Sequence, residues 1–156
     1  MNEPEARRTH VIERTFDAPA ALVFAAYSEP AHLFRWFGPR GYPLEVCEVD
    51  FRVGGRFRMA MREEASGASM PAFGGTYLEI VPDRRIRYDN GFEGGFQDAG
   101  ERMEVTVDLE EIDGRTHLTL RTVFGSVAMK EAHVGRGYGE GTNSAWDQLA
   151  ALLMEL

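Results

Sequence analysis

Few side chains in this sequence are spaced to do chemistry. Cys47 is the sole cysteine, so no intramolecular disulfide can form. It sits in a strand-like run with Val46 and Val49, which favours a small buried hydrophobe over a nucleophile. The four histidines, His10, His32, His117 and His133, are scattered, with no His/Cys/carboxylate cluster at ligand spacing. No metal site and no cofactor are expected. Glycines at 135, 137, 139 and 141 satisfy neither GxGxxG nor GxxxxGK[ST], and they read as a loose or closely packed start to a helix rather than a phosphate cradle. There is no GxSxG elbow, and Ser66, Ser126 and Ser144 stand beside no recognisable base, so no catalytic nucleophile is assigned. His117 falls among the outward positions of a strand.

Most carboxylates alternate with apolar residues, as Glu104, Asp108 and Glu110 do, and so belong on a wet strand face. Glu48 and Glu79 differ, since each lies in an apolar run. They are the acids that burial could shift into a general acid or base role.

The stretch FRWFGPRGYPLEVCEVDFRVGGRFRM, Phe34 to Met59, holds six aromatic residues and five arginines. Together with later strands and the last helix it contributes an apolar set expected to converge inside the fold: Trp36, Phe37, Phe57, Met59, Met61, Tyr88, Met103, Leu120, Tyr138 and Trp146. Periodicity alone leaves two readings open, a filled core or the wall of a ligand pocket. Methionines adapt to varied shapes, and Tyr and Trp carry polar tips able to orient a ligand.

The elements that must position these groups can be read from hydrophobic period. Residues 1–8 are polar and read as a disordered N-terminus. THVIERTF, Thr9 to Phe16, alternates as a first strand. DAPAALVFAAYSEP gives a short amphipathic helix, with Asp17 as N-cap, Pro19 near its first turn, and Leu22, Val23, Ala26 and Tyr27 on one face. Pro30 breaks it, and AHLFRWF forms a second short helix. LEVCEVDF and RFRMAMR form a hairpin across Gly54 and Gly55, with arginines on its wet face and Phe57, Met59 and Met61 on the other. FGGTYLEIVP is a strand ended by Pro82. Arg84 to Asn90 is another, stopped by the turn signal DNG, and the connector GFEGGFQDAGE follows. Glu101 to Ile112 alternates over its length, Asp113 and Gly114 make a tight turn, and RTHLTLRTVF returns with Leu118, Leu120 and Phe124 inward. A C-terminal helix carries Tyr138, Thr142, Trp146, Leu149, Leu153 and Leu156 at steps of four or three. Its start lies either at Thr142 or Asn143, or nearer Ala128 with a loose glycine segment.

Strands in series with helices at the ends indicate an α+β fold, a curved antiparallel sheet wrapped around a long C-terminal helix, with two short helices after the first strand. A curved sheet and a cylinder do not match everywhere, so a cavity between them is expected. Length and composition fit one domain over residues 9–156: 156 residues, 44% of them hydrophobic, suffice for one core. The net charge of −8 and pI near 5.0 repel phosphate backbones and anionic lipid, which excludes nucleic acid and membrane surfaces as expected partners. No apolar run reaches the roughly 18 to 20 residues needed to span a bilayer, and MNEPEARRTH has no apolar signal core. A cytoplasmic location is expected.

The runs FDAPAALVFAAYSEPAHLFRWFGP, VDFRVGGRFRM, GTYLEIVPDRRIRY and the helix ending WDQLAALLMEL, in that order, closely resemble the START-like (SRPBCC) superfamily. Within it they are similar to the branch named for the activator of the heat-shock-protein-90 ATPase. The resemblance spans about Thr9 to Leu156. Trp36, Phe37, Gly38 and Pro39 match one motif, and Gly54 and Gly55 another. It implies the helix-grip form of the fold, with a cavity closed at one end by the small helices. It further implies binding of a small hydrophobic ligand, such as a lipid, polyketide or aromatic compound, in that cavity. Phe34 to Pro39 would then close the mouth, and Phe57 to Met59 would begin the inner wall. Two alternatives stand beside this. One is a protein-interaction module related to chaperone ATPase activators, touching a chaperone or forming a homodimer through aromatic surface near Trp36 and the Phe92 to Phe96 loop, although the chaperone activator is similar to this chain only in its C-terminal domain. The other is a cyclase- or dehydratase-like enzyme using Glu48 or Glu79.

Overall fold

A computed structural model describes residues 4–93 and 102–156. Among them the order is strand β1 (Thr9–Phe16), helices α1 (Ala20–Ser28) and α2 (Pro30–Trp36), strands β2 (Leu44–Val49), β3 (Arg56–Met61), β4 (Phe73–Val81), β5 (Arg85–Phe92), β6 (Met103–Ile112) and β7 (Arg115–Val123), then helices α3 (Val127–Gly135) and α4 (Tyr138–Leu153). The seven strands form one antiparallel sheet in the order β1-β7-β6-β5-β4-β3-β2. Register shifts between Leu44 and Val46 and between Tyr77 and Glu79 bend their strands, as an extra residue in one partner must. The sheet therefore curls about α4, whose Ala145, Trp146, Leu149, Leu152 and Leu153 are buried. This is the helix-grip arrangement.

Local chemistry accounts for the elements. Asp113 and Gly114 both take positive φ (54° and 77°), the type I′ geometry that matches the twist of a two-residue hairpin. At the β2–β3 corner Gly54 has φ 85°. Gly38 is required for a different reason, since a Cβ there would collide with the carbonyl oxygen of Tyr42. That close approach lets the chain leave α2 sharply towards β2.

Four expectations need correction. Asp17 does not cap α1: Pro19 is the N-cap residue with no side-chain cap bond. Instead Glu111 Oε1, reaching over from β6, accepts from Ala20 N at 2.7 Å, a tertiary carboxylate on the positive helix end. The DNG triplet is not a turn. β5 runs through it to Phe92, with Asn90 opposite Met103 and Gly91 opposite Gly74, because neighbouring strands on both sides extend far enough to pair it. Of the two starts open to the C-terminal helix, the late one at Thr142 or Asn143 is overturned and the one near Ala128 stands, with the segment forming two helices. Ser126 Oγ accepts from Met129 N at 3.0 Å to cap α3, and Gly137 at φ 96° separates it from α4. Thr142 lies within α4, its hydroxyl donating to Tyr138 O. Finally, Glu5–Arg8 forms a single 3-10 turn, where only a frayed end was expected. The connector read over residues 91–101 lies from residue 94 outside the described residues. No helix among the described residues is long and apolar enough to cross a membrane.

Two ties fix the small helices over the sheet mouth. Gln148 Nε2 of α4 donates to the carbonyls of Trp36 and Gly38, and Arg40 N donates to Ser144 Oγ at 2.9 Å. Trp36 Nε1 donates back to Ala26 O at 2.9 Å, locking α2 onto α1.

Candidate functional site: a cavity between sheet and helix

A cavity of about 260 Å³ lies between the concave sheet face and α4. Eight of the ten residues expected to converge line it: Trp36, Phe37, Met61, Tyr88, Met103, Leu120, Tyr138 and Trp146. Each arrives by a simple rule. Met61, Tyr88, Met103 and Leu120 occupy inward strand positions. Trp146 and Tyr138 lie eight residues apart on α4 and therefore on one face. Trp36 and Phe37 end α2 at the mouth.

Phe57 and Met59 do not reach this wall. They line a separate space of about 20 Å³ beyond it, bounded also by Phe37, Tyr77 and Tyr88. The rings of Tyr77 and Tyr88 lie 5.4 and 5.2 Å from that of Phe57, so the aromatic cluster fills the region the alternation pointed to. Of the stretch Phe34 to Met59, only Trp36, Phe37 and Pro39 reach the main cavity.

Several wall residues were not singled out from sequence, among them Tyr27, Phe73, Asn90, Val105, His133 and Thr142. Asn90 was hidden by the turn reading of DNG. Its signal is the inward register it shares with Tyr88 two positions earlier. His133 Nδ1 donates to Met129 O at 2.9 Å, a carbonyl that can only accept, and its ring lies 5.3 Å from that of Phe124.

The polar chemistry of the wall is that of neutral phenols. Trp146 Nε1 donates to the Tyr27 hydroxyl at 3.0 Å, and the Tyr138 and Thr122 hydroxyls pair at 2.8 Å. Burial pushes the phenols of Tyr27, Tyr88 and Tyr138 above their usual value near 10, because a phenolate would lose its hydration. For an acid raised on folding, the stabilisation is complete below the unfolded value near 10 and is lost as pH rises through the folded one. The phenols' contribution to the unfolding free energy should therefore hold level up to about pH 9 and fall beyond about pH 10, and in urea titrations Tyr88→Phe should shallow that fall.

Neither acid proposed for catalysis reaches the cavity. Glu48 is on the outer face, its side chain 66% exposed and 3.8 Å from Arg58. Glu79 lies between Arg85 and Arg87 at 3.6 and 3.4 Å. Alternation wins over local hydrophobicity in both cases, since an outward register puts the carboxylate in water beside arginines. Trp36 is 2% exposed, so it offers no surface for a protein partner. Phe34 is the exposed ring of that helix, and Phe96 lies outside the described residues.

Cys47 is half-buried, and burial raises its thiol to about 11. From the ordinary value of 9.0 this makes the thiolate about a hundredfold scarcer at neutral pH. Ellman's reagent should label the native protein about two orders of magnitude more slowly than the protein in guanidinium.

Two other constellations lie outside the cavity. On the outer sheet face, His117 Nδ1 is 3.0 Å from Thr15 Oγ1 and its Nε2 is 2.9 Å from Glu13 Oε1. This has the order of a hydroxyl–imidazole–carboxylate relay. His117 and Glu13 are 39% and 56% exposed, and the neighbouring backbone N–H groups are spent in strand pairing, so no water-excluded oxyanion site accompanies it. A larger hollow of about 460 Å³ runs over the Gly74–Gly91 pair, edged by Arg58 and Arg102. Glu93 neutralises Arg58 at 2.6 Å and Asp89 neutralises Arg102 at 2.9 Å. Among the described residues no group of three or more His, Cys, Asp or Glu could hold a metal ion.

The sequence model of the family described as "Activator of Hsp90 ATPase homolog 1-like protein" matches residues 17–154. The chain belongs to this family. A solved protein from Chromobacterium violaceum is 34% identical, with TM-score 0.78, over 94% of this chain and 96% of that one. One from Arthrobacter aurescens is 28% identical, with TM-score 0.84, over 99% and 91%. The protein CalU16 from Micromonospora echinospora is 26% identical, with TM-score 0.66, over 93% and 75%. Among curated proteins, none matches the sequence. Family membership places this chain in the START-like superfamily, whose fold typically holds hydrophobic ligands. The residues matched take in the small helices, the sheet from β2 onward and α4, the parts that enclose the cavity.

Proposed function

We propose that this protein binds a small hydrophobic molecule in the cavity between the sheet and α4. The observation that carries the reading is the make-up of the wall: about 260 Å³ of space bounded by aromatic and aliphatic side chains, with no Lys, Arg, Asp or Glu among the lining residues. A ligand burying about 250–300 Å² of apolar surface there gains roughly 6–8 kcal/mol at about 25 cal/mol per Å². That corresponds to affinities around the micromolar range, less the cost of immobilisation.

A thermal-shift screen of aromatic, polyketide-like and lipid compounds tests this. A ligand present at about 100 times its Kd stabilises by about 2.7 kcal/mol. For a chain of this length that raises Tm by roughly 5–10 °C. No stabilisation by any compound class would overturn the reading.

A further inference from the structure

Resting on the ligand-binding reading above, the polar groups of the wall say what kind of molecule fits. The lining residues include no side chain carrying a permanent charge, so an ion entering the cavity would leave water without a counter-charge. Three hydroxyls are already engaged, that of Tyr27 with Trp146 Nε1, that of Tyr138 with Thr122 and that of Thr142 with Tyr138 O. Among the described residues the Tyr88 hydroxyl has no such partner. Asn90 follows it by two positions on β5 and faces the same way. Its Oδ1 is buried without a hydrogen-bond partner among the described residues, and a buried acceptor is seldom left so. Asn90 borders both the main cavity and the small space beyond it.

We propose that the cavity takes a neutral aromatic molecule bearing a hydroxyl group, which donates to Asn90 Oδ1 and turns its oxygen towards the Tyr88 O–H. A plain hydrocarbon would leave Asn90 Oδ1 unpaired, and so would a ketone, which has no proton to give. A carboxylate or ammonium would meet no side chain of permanent charge. The size fits as well. An apolar cavity of about 150 Å³ is filled by one benzene ring, and about 260 Å³ suits two fused rings.

Equilibrium dialysis at pH 7 with 2-naphthol, naphthalene and 2-naphthoate tests the assignment, using the wild-type chain, Asn90→Leu and Tyr88→Phe. The wild type is expected to hold 2-naphthol at least tenfold more tightly than naphthalene, about 1.4 kcal/mol, and 2-naphthoate most weakly. Asn90→Leu keeps the bulk and removes the acceptor. It should shrink the naphthol preference to threefold or less, with naphthalene held at least as tightly as by the wild type. Should that variant fail to fold by circular dichroism, Tyr88→Phe decides, with an expected loss of at least threefold in the same ratio. Equal wild-type affinities for 2-naphthol and naphthalene, a preference for 2-naphthoate, or an unchanged ratio in the folded variants would overturn the hydroxyl assignment and leave the hydrophobic-ligand reading standing. No binding of any of the three overturns this inference. A blank wider screen overturns the ligand-binding reading with it.

Discussion

Trp146→Ala is expected to destabilise the protein by about 3–5 kcal/mol, the range for deleting a buried large aromatic. Trp146 is 1% exposed on the middle of α4. Its ring meets Phe16 edge-on at 5.8 Å and carries the Arg14 guanidinium 5.7 Å above it. Arg14 in turn bonds Asp147 and Asn143, so the residue joins β1 to the helix from both sides. The Tyr27 hydroxyl would lose its donor, the indole Nε1, and the void would open into the existing cavity. Since domains of this kind are stable by only about 5–15 kcal/mol, the loss should be visible as a large drop in the urea midpoint at unchanged slope. Trp146→Phe keeps much of the ring and should cost about 1–2 kcal/mol. Equal effects of the two substitutions would show that the hydrogen bond, and not the packing, dominates.

Gly141→Leu is expected to weaken ligand binding at least tenfold without unfolding the protein. Gly141 lies inside α4 and lines the cavity. A Cβ built there meets nothing nearer than Pro39 Cγ at 4.0 Å, so a larger side chain grows into open space. A mid-helix glycine also costs about 1 kcal/mol relative to a good helix former. The variant should therefore melt no lower than the wild type while the cavity is occupied by four carbons of its own. Gly141→Ala supplies the control, with a stability gain of about 0.5–1 kcal/mol and most of the binding kept. Wild-type affinity in the leucine variant would count against this cavity as the site.

How legible these features were depended on the range of the forces behind them. The Asp113–Gly114 hairpin, the Pro30 break and the alternation of β6 are set by neighbours a few residues away, and each stands where the pattern indicated. The turn expected at Asp89–Asn90–Gly91 did not form, because pairing with Gly74 and Met103 outweighs a local turn preference. The cap of α1 comes from Glu111, 91 residues away, and nothing near Ala20 announces it. For Glu48 and Glu79, the apolar residues around them suggested burial, yet the strand register decided otherwise.

By itself the sequence determined the α+β class, the curved sheet around a terminal helix, the family resemblance and most of the side chains that turn inward, since these follow from period, turn chemistry and short motifs. Only the tertiary structure decided that Phe57 and Met59 pack behind the cavity, that Asn90 faces it, and that space remains there at all. The reason is physical. Period says which way a side chain points, whereas an empty volume is the difference between the curvature of a seven-stranded sheet and the bulk of everything that points into it.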